Sequence, residues 1–440
     1  MDMHIETGGR VQDGYSGTKL AAWSALGLTI LLMLFDYIDR QIVVSMLPAI
    51  KAEWSLSDGQ LGGLVSIVSL TVAVLAIPIA IFADRSNRPR WIFAMAIIWS
   101  IATVACSYAT DYNQLLALRG LVGIGEAGYY AVGTAILANL FPTRMRAAIL
   151  ATFAAAAAIG SVLGVVLGGV LAKQYGWHTT FGIVGFPGLI LAFFYLLVRD
   201  TKPAATSSDG GATQRVSIGA MTRLMLAAPS AMLINVAAGF QLFVIATLFS
   251  WLPSFFNRFY GLPLDQAGIK SAVVLLLGSV SAIVWGVLAD RVSRKSPRNK
   301  IWVMAACCLL SCVVLAGAFS YFAPGPEQYA MIILGGILMT GTLGTVSAVV
   351  VDVVHPGMRA TAIAVGILIG NTLGLAAGPF VSGLISDRFG LATALAVLPA
   401  FGALAALAFA LIVPIYSRDL QRASSWGVSP AMPKAGMQTA

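Results

Sequence analysis

The chain has 440 residues, of which 27 are basic and 18 acidic, while 58% are apolar and the mean hydropathy is +0.87. A soluble domain is roughly 25% charged, and this chain is 10% charged, which excludes a soluble enzyme, a nucleic-acid-binding protein and a disordered chain. What remains is a polytopic membrane protein with little mass outside the bilayer, and its net charge of +9 reads as basic loops held on one side of the membrane.

A bilayer-crossing helix takes about 20 mostly apolar residues. The hydropathy pattern predicts twelve, at roughly 20–49, 58–83, 89–109, 113–140, 145–172, 178–198, 226–256, 264–289, 299–321, 328–353, 359–386 and 391–416. The first 19 residues are polar and include Asp2, Glu6 and Asp13. This is unlike a cleavable signal peptide, so the first span is expected to act as its own insertion signal. The longest polar stretch lies near the midpoint. It divides the chain into an N-terminal six-helix bundle (1–198), a cytoplasmic linker (199–225), a C-terminal six-helix bundle (226–418) and a polar cytoplasmic tail (419–440). With both termini inside, the inner segments hold 20 Lys and Arg and the outer loops 5, an asymmetry that sets the orientation. The expected location is the plasma membrane, or the inner membrane of a bacterium.

The halves repeat each other. Span 2 ends in IleAlaIlePheAlaAspArg (79–85) and span 8 in TrpGlyValLeuAlaAspArg (285–291). PheProThrArgMetArgAla (141–147) is matched by HisProGlyMetArgAla (355–360), and GlySerValLeuGly (160–164) by GlyAsnThrLeuGly (370–374). GlyValLeuAlaLysGlnTyrGly (169–176) is matched by GlyLeuIleSerAspArgPheGly (383–390). Two parallel six-helix repeats around a midplane cavity form an alternating-access architecture.

These segments resemble the major facilitator superfamily. Its loop signature after span 2 is similar to Ala80…Asp84-Arg85-Ser86-Asn87-Arg88, with Ala in place of the usual Gly, and a second copy stands at Gly286…Asp290-Arg291. Its span 4 signature is similar to Arg119…Gly123-Ile124-Gly125. Within the superfamily three segments resemble the spinster family of lipid transporters: AspTyrIleAspArg (36–40), ArgGlyLeuValGlyIleGlyGluAla (119–127) and TrpLeuProSerPhePhe (251–256). The anion:cation symporters share the Tyr-x-Asp-Arg of span 1 and the Glu-Ala of span 4. The fold class expected is therefore all-α, with twelve transmembrane helices in two parallel six-helix repeats.

Ionisable residues inside a span cost at least ~2.5–3.5 kcal/mol on insertion scales and mark function. Five lie well inside: Asp36, Asp39, Arg40, Arg119 and Glu126. Glu126 is the expected proton site with Arg119 as its partner, and Asp39 beside Arg40 is the second candidate; Asp36 and Arg40, four apart, can pair along span 1. The alternative is a permanently ionised structural network. For substrate, Arg119, Glu126, Tyr129, Tyr130, Phe240, Phe243 and Trp251 are expected to line a cavity charged on one side and apolar on the other, suited to an anionic amphiphile. The second half otherwise offers the polar Asn235, Gln241 and Asn371. Asp84, Arg85 and Arg88, with Asp290 and Arg291, form the cytoplasmic gate that the resemblance implies; their simpler role is topological.

The four cysteines sit in apolar runs without metal-ligand spacing. No phosphate-binding loop is present, so ATP does not drive the protein, and His4, His178 and His355 are scattered. No cofactor, metal, nucleic acid or enzymatic activity is expected. The expected function is proton-coupled alternating-access transport of a small lipid-type amphiphile (a lysolipid or sphingoid-phosphate-like molecule) by a monomer among membrane lipids. The alternative is symport of a small organic anion.

Overall fold

The computed structural model describes residues 18–198, 219, 228–355 and 358–424. The expected tail from 425 onward and nearly all of the expected linker lie outside the described residues. Helices account for almost everything described. They are α1 (Lys19–Trp54), α2 (Asp58–Arg85), α3 (Arg88–Cys106), α4 (Tyr112–Glu126), α5 (Tyr129–Leu140), α6 (Thr143–Tyr195), α7 (Pro229–Phe259), α8 (Leu264–Ser293), α9 (Asn299–Tyr321) and α10 (Pro326–Met339). They continue as α11 (Val346–Val353), α12 (Arg359–Ile369), α13 (Ala377–Phe389), α14 (Leu391–Val397) and α15 (Ala400–Ser424).

Among the described residues, eleven helical stretches are long and apolar enough to cross a membrane. The chain is an all-α polytopic membrane protein. Short polar caps stop and restart these stretches. Ser57 and Gln60 form a reciprocal capping box at the start of α2, Asp111 accepts from the backbone of Asn113 and Gln114 at the start of α4, and Pro occupies the first turn of α3, α7 and α10. The side-chain caps satisfy amide groups that no helix can pair internally, and the prolines remove such a group.

Several predicted spans are interrupted. The connection expected between spans 5 and 6 is a sharp kink at Gly176, whose φ of 78° is open to glycine, and it divides the Thr143–Tyr195 stretch (α6) into two helices. The fourth predicted span is two helices, α4 and α5, that part at Ala127 and Gly128. The tenth is broken by a 3-10 turn at Thr340–Thr342. The eleventh carries a π-helical segment, Gly370–Ala376, between α12 and α13. Hydropathy breaks at the first of these points and runs unbroken through the other three, so it carries no trace of those three.

Close packing of α1 on α6 has a plain cause. Gly160, Gly164 and Gly168 recur every four residues and face the carbonyls of Leu34, Ile38 and Ile42, with no room for a Cβ at any of the three. Small residues at this spacing let two backbones approach in a bilayer, where lipid supplies no hydrophobic drive for association.

The helix ends define two faces. The terminal face holds residues 18, 198, 228 and 424; the far face holds the α1–α2, α7–α8 and α13–α14 connections. One apolar cluster joins α1 and α2 to α7 and α8 through Ile42, Leu47, Leu61, Leu248 and Trp251, while two further clusters belong to the first helices and the last helices separately.

Candidate functional site

Five ionisable side chains, four of them buried, meet where α1 crosses α3 and α4. Asp36, Asp39, Arg119 and Glu126 are each 3% exposed or less. Arg40 Nε lies 2.7 Å from Glu126 Oε2. Arg119 Nη1 lies 3.5 Å from Asp39 Oδ1 and donates to the Asp39 carbonyl at 3.4 Å. Thr103 of α3 donates to Asp39 Oδ2, and Asp36 sits in the field of both Arg40 and Glu126.

The five residues converge as their depth along the helices requires, but the pairing is crossed. Glu126 is held by Arg40, and Arg119 by Asp39, instead of Glu126 by Arg119. Side chains on a helix lean toward its N-terminus. The Arg40 side chain therefore leans from its own level on α1 toward the terminal face, where Glu126 stands. Arg119, seven residues earlier on the antiparallel α4, is ~10 Å nearer the far face and meets Asp39.

The cluster has three carboxylates for two guanidinium groups. Arg40 is its accessible cation, with 18% of its side chain exposed against 1% for Arg119. Its guanidinium lies 5.3 Å from the Tyr37 ring centroid.

The aromatic residues expected at the site pack as follows. Tyr129 is fully buried against Trp99 and Phe153, and its hydroxyl donates to the Thr29 carbonyl. Tyr130 stacks on Phe153 with half its surface exposed. Phe240 and Phe243 pack on Phe401, and the buried Trp251 donates its indole N–H to the Pro379 carbonyl. A cavity of about 260 Å³ opens beside α7, α11 and α12, with Asn235, Thr342, Ser347 and Asn371 on its wall. None of the five aromatics lines it.

The gate residues are distributed as follows. The side chains of Asp84 and Arg85 lie outside the described ones. Arg88 begins α3, and Arg291 stands in the last turn of α8. Asp290 pairs at 3.2 Å with Lys300, at the start of α9, so its partner comes from the same group of helices.

A set of contacts that sequence reasoning missed closes the far face. Asp58, at the start of α2, receives two hydrogen bonds of 2.7 Å from Arg258 at the end of α7. Lys51 adds one of 2.6 Å, and Ser386 donates to the same carboxylate. Asp387, near the end of α13, accepts from the backbone N–H groups of Asp58 and Gly59 at 2.6 and 2.8 Å. A carboxylate from the last helices thus caps a helix of the first. On the opposite side Lys173 of α6 pairs with Asp265 of α8 at 2.8 Å. Backbones touch there as well: Gly62 faces Pro379, and Gly383 faces Asp58, without space for a Cβ. The signal was present in the repeat, because Lys173 and Asp387 occupy matched positions in the segments 169–176 and 383–390.

Among the described residues no group of His, Cys, Asp and Glu could hold a metal ion.

Comparison with known proteins gives concordant matches. The family model for the Major Facilitator Superfamily matches residues 29–379. An MFS-type efflux pump of Mycolicibacterium smegmatis is 29% identical over 373 residues, 83% of this chain and 85% of that one. Protein spinster of Drosophila melanogaster is 27% identical over 390 residues, 84% of this chain; the chain spans 63% of that protein's length. The crystal structure of a bacterial homologue of the human lysosomal transporter spinster, inward-facing and unoccupied, superposes with a TM-score of 0.83 at 24% identity. That match covers 92% of this chain and 99% of the other.

Proposed function

The chain belongs to the Major Facilitator Superfamily, homologous to the spinster proteins, and on that footing we propose that it couples protons to the passage of an anionic lipid-type amphiphile. It is a secondary transporter and not an enzyme. The observation that carries the proposal is the charge imbalance of the buried cluster. Asp39 has Arg119 and Thr103, whereas Asp36 and Glu126 share the single guanidinium of Arg40. A buried uncompensated charge is costly, so neutrality in this site calls for one proton on the Asp36–Glu126 pair. A substrate anion reaching Arg40 would displace Glu126 from it, and the displaced carboxylate would take up a second proton from solution, so that both carboxyls of the pair are neutral and the occupied site stays neutral. Binding and protonation are then linked through one arginine. In this reading Arg119 positions Asp39.

The 53-residue α6 counts as two spans divided at Gly176, which brings the number of crossings to twelve. These form two six-helix bundles (1–198 and 226–418), with the terminal face in the cytoplasm as the 20-to-5 distribution of Lys and Arg supports. The closed far face is then external, and the conformation is inward-facing. Asp84, Arg85 and Arg88, with Asp290 and Arg291, would latch the cytoplasmic side in the alternate state, when Asp290 leaves Lys300. A small organic anion is the second reading, favoured by the hydrogen-bonding wall of the cavity beside α7.

The test is transport in proteoliposomes. Acidifying one side should drive lysophosphatidylglycerol movement at several times the rate seen without a gradient. Equal rates with and without the gradient would remove proton coupling, and no movement of the lysolipid would remove the substrate class.

A further inference from the structure

The cavity beside α7 lies where two membrane helices depart from α-helical geometry at the same depth. The 3-10 turn Thr340–Thr342 separates α10 from α11, and the π-helical Gly370–Ala376 separates α12 from α13. Thr342, Gly370 and Asn371 from these two breaks are on the cavity wall. Irregular backbone at membrane depth persists where it lines a cavity, and π-helical turns recur at functional sites.

The repeat makes this position the counterpart of the charged site. The fourth and tenth predicted spans correspond in the repeat, and each is broken: the fourth just after Glu126, the last residue of α4, the tenth at Thr340–Thr342. The first bundle thus has an ion pair at its helix break. The second has a cavity with unspent neutral hydrogen-bonding groups. The Asn235 amide donates to the Ala362 carbonyl and that of Asn371 to the Ile367 carbonyl. Among the described residues the amide oxygens of both, and the hydroxyls of Thr342 and Ser347, have no partner in the chain. These four polar residues line a cavity of about 260 Å³. Leu242, Val346 and Ile363 complete the wall with apolar surface.

We infer that this cavity is the subsite for a hydroxylated part of the substrate, a glycerol- or sugar-like group next to its anionic centre. The inference rests on the anionic-substrate reading above and adds a hydroxyl requirement to it. Hydroxyls suit the site because each can donate to an Asn oxygen and accept from a Thr or Ser hydroxyl. A purely apolar group would leave four polar atoms without partners, which discriminates strongly against it. Two sources share this chemistry: the headgroup of a lysolipid, and a free sugar acid.

The experiment is native mass spectrometry of the purified full chain with three probes: lysophosphatidylglycerol, dodecyl phosphate and D-glucuronate. The wild type should bind lysophosphatidylglycerol at least about tenfold more tightly than dodecyl phosphate, the equivalent of one or two hydrogen bonds. Asn371→Leu should reduce that preference to about unity, and Ser347→Ala should reduce it in part, which guards against a folding defect in the first variant. D-glucuronate binding with the same sensitivity to Asn371→Leu would support the subsite and identify a free acid as its source; binding of the lysolipid alone would identify the headgroup. Equal affinities for the two amphiphiles in the wild type, or a preference that survives in both variants, would overturn the hydroxyl subsite and leave the anionic reading intact. Failure of all three anions to bind would overturn the anionic reading, and the subsite with it.

Discussion

Asp58 and Arg258 stand 200 positions apart in the chain and meet through two parallel hydrogen bonds of 2.7 Å at the far face. The fork-to-fork geometry fixes direction as well as distance, and it ties α2 to α7 across the two groups of helices. Asp58 is buried and Arg258 is about three-quarters shielded, so water screens this pair less than a surface one. Arg258→Gln or Asp58→Asn should loosen the far face. A pair worth about 1–2 kcal/mol would raise the open fraction roughly 5–30-fold. Maleimide labelling of a cysteine at Val44, buried in the far-face apolar cluster, measures it in a background free of native cysteines. The two substitutions combined should add little to either alone. Unchanged labelling would mean that apolar packing holds the face shut.

Asp387 contributes to the same closure by a different route, as an end cap for α2. Asp387→Ala removes both acceptors and should cost about 0.5–2 kcal/mol, the range of a lost N-cap. Asp387→Asn retains one acceptor and should cost less. The melting temperatures of detergent-solubilised protein should therefore fall in the order wild type, Asn, Ala. The reverse order for the two variants would show that charge near the Asp58–Arg258 pair, and not capping, governs the contact.

Glu126→Gln should abolish the response of transport to a pH gradient while leaving slow exchange in place. The amide still occupies the space beside Arg40 but carries no titrating proton. Asp36→Asn removes the surplus carboxylate, and the site then has two carboxylates for two guanidinium groups. It should shift the pH at which transport is half-maximal without abolishing the dependence. Asp39→Asn leaves Arg119 buried without its counter-ion and should cost about 3–5 kcal/mol, read as loss of folded protein. Full pH-driven transport by Glu126→Gln would place the coupling proton elsewhere.

The spans and the depth of the five clustered charges were legible because both follow from one-dimensional quantities, apolar run length and rise per residue. Which arginine holds Glu126 was not, since it depends on how far the Arg40 side chain leans along α1. Aromatic residues on an apolar helix read alike whether they line a cavity or pack against a neighbour, and Phe243 and Trp251 do the second. Asp58, Arg258 and Asp387 fall at or just beyond the ends of predicted spans, where nothing in the sequence marks a partner. Only the meeting of α2 with α7 and α13 turns them into a closure. The matched positions Lys173 and Asp387 differed in sign, and that difference was the one sequence trace of the two unlike clamps.

Glycine in α1 and α6 gives a paired test of the packing that holds the charged cluster. A Cβ at Gly164 would lie 2.7 Å from the Ile38 carbonyl oxygen and 2.8 Å from Gln41 Cβ, so α1 would have to move. Overpacking of this kind costs about 1–3 kcal/mol. Ile38 adjoins Asp39, so Gly164→Ala should lower the melting temperature and the transport rate together. A Cβ at Gly27 would meet nothing within 4 Å, and Gly27→Ala should gain about 0.5–1 kcal/mol from the stiffer backbone of a helical alanine. Thermal unfolding followed by circular dichroism should move the two midpoints in opposite directions about the wild type. A Gly164→Ala protein as stable and as active as the wild type would mean that α1 can shift on α6 without disturbing Asp39 and Arg40.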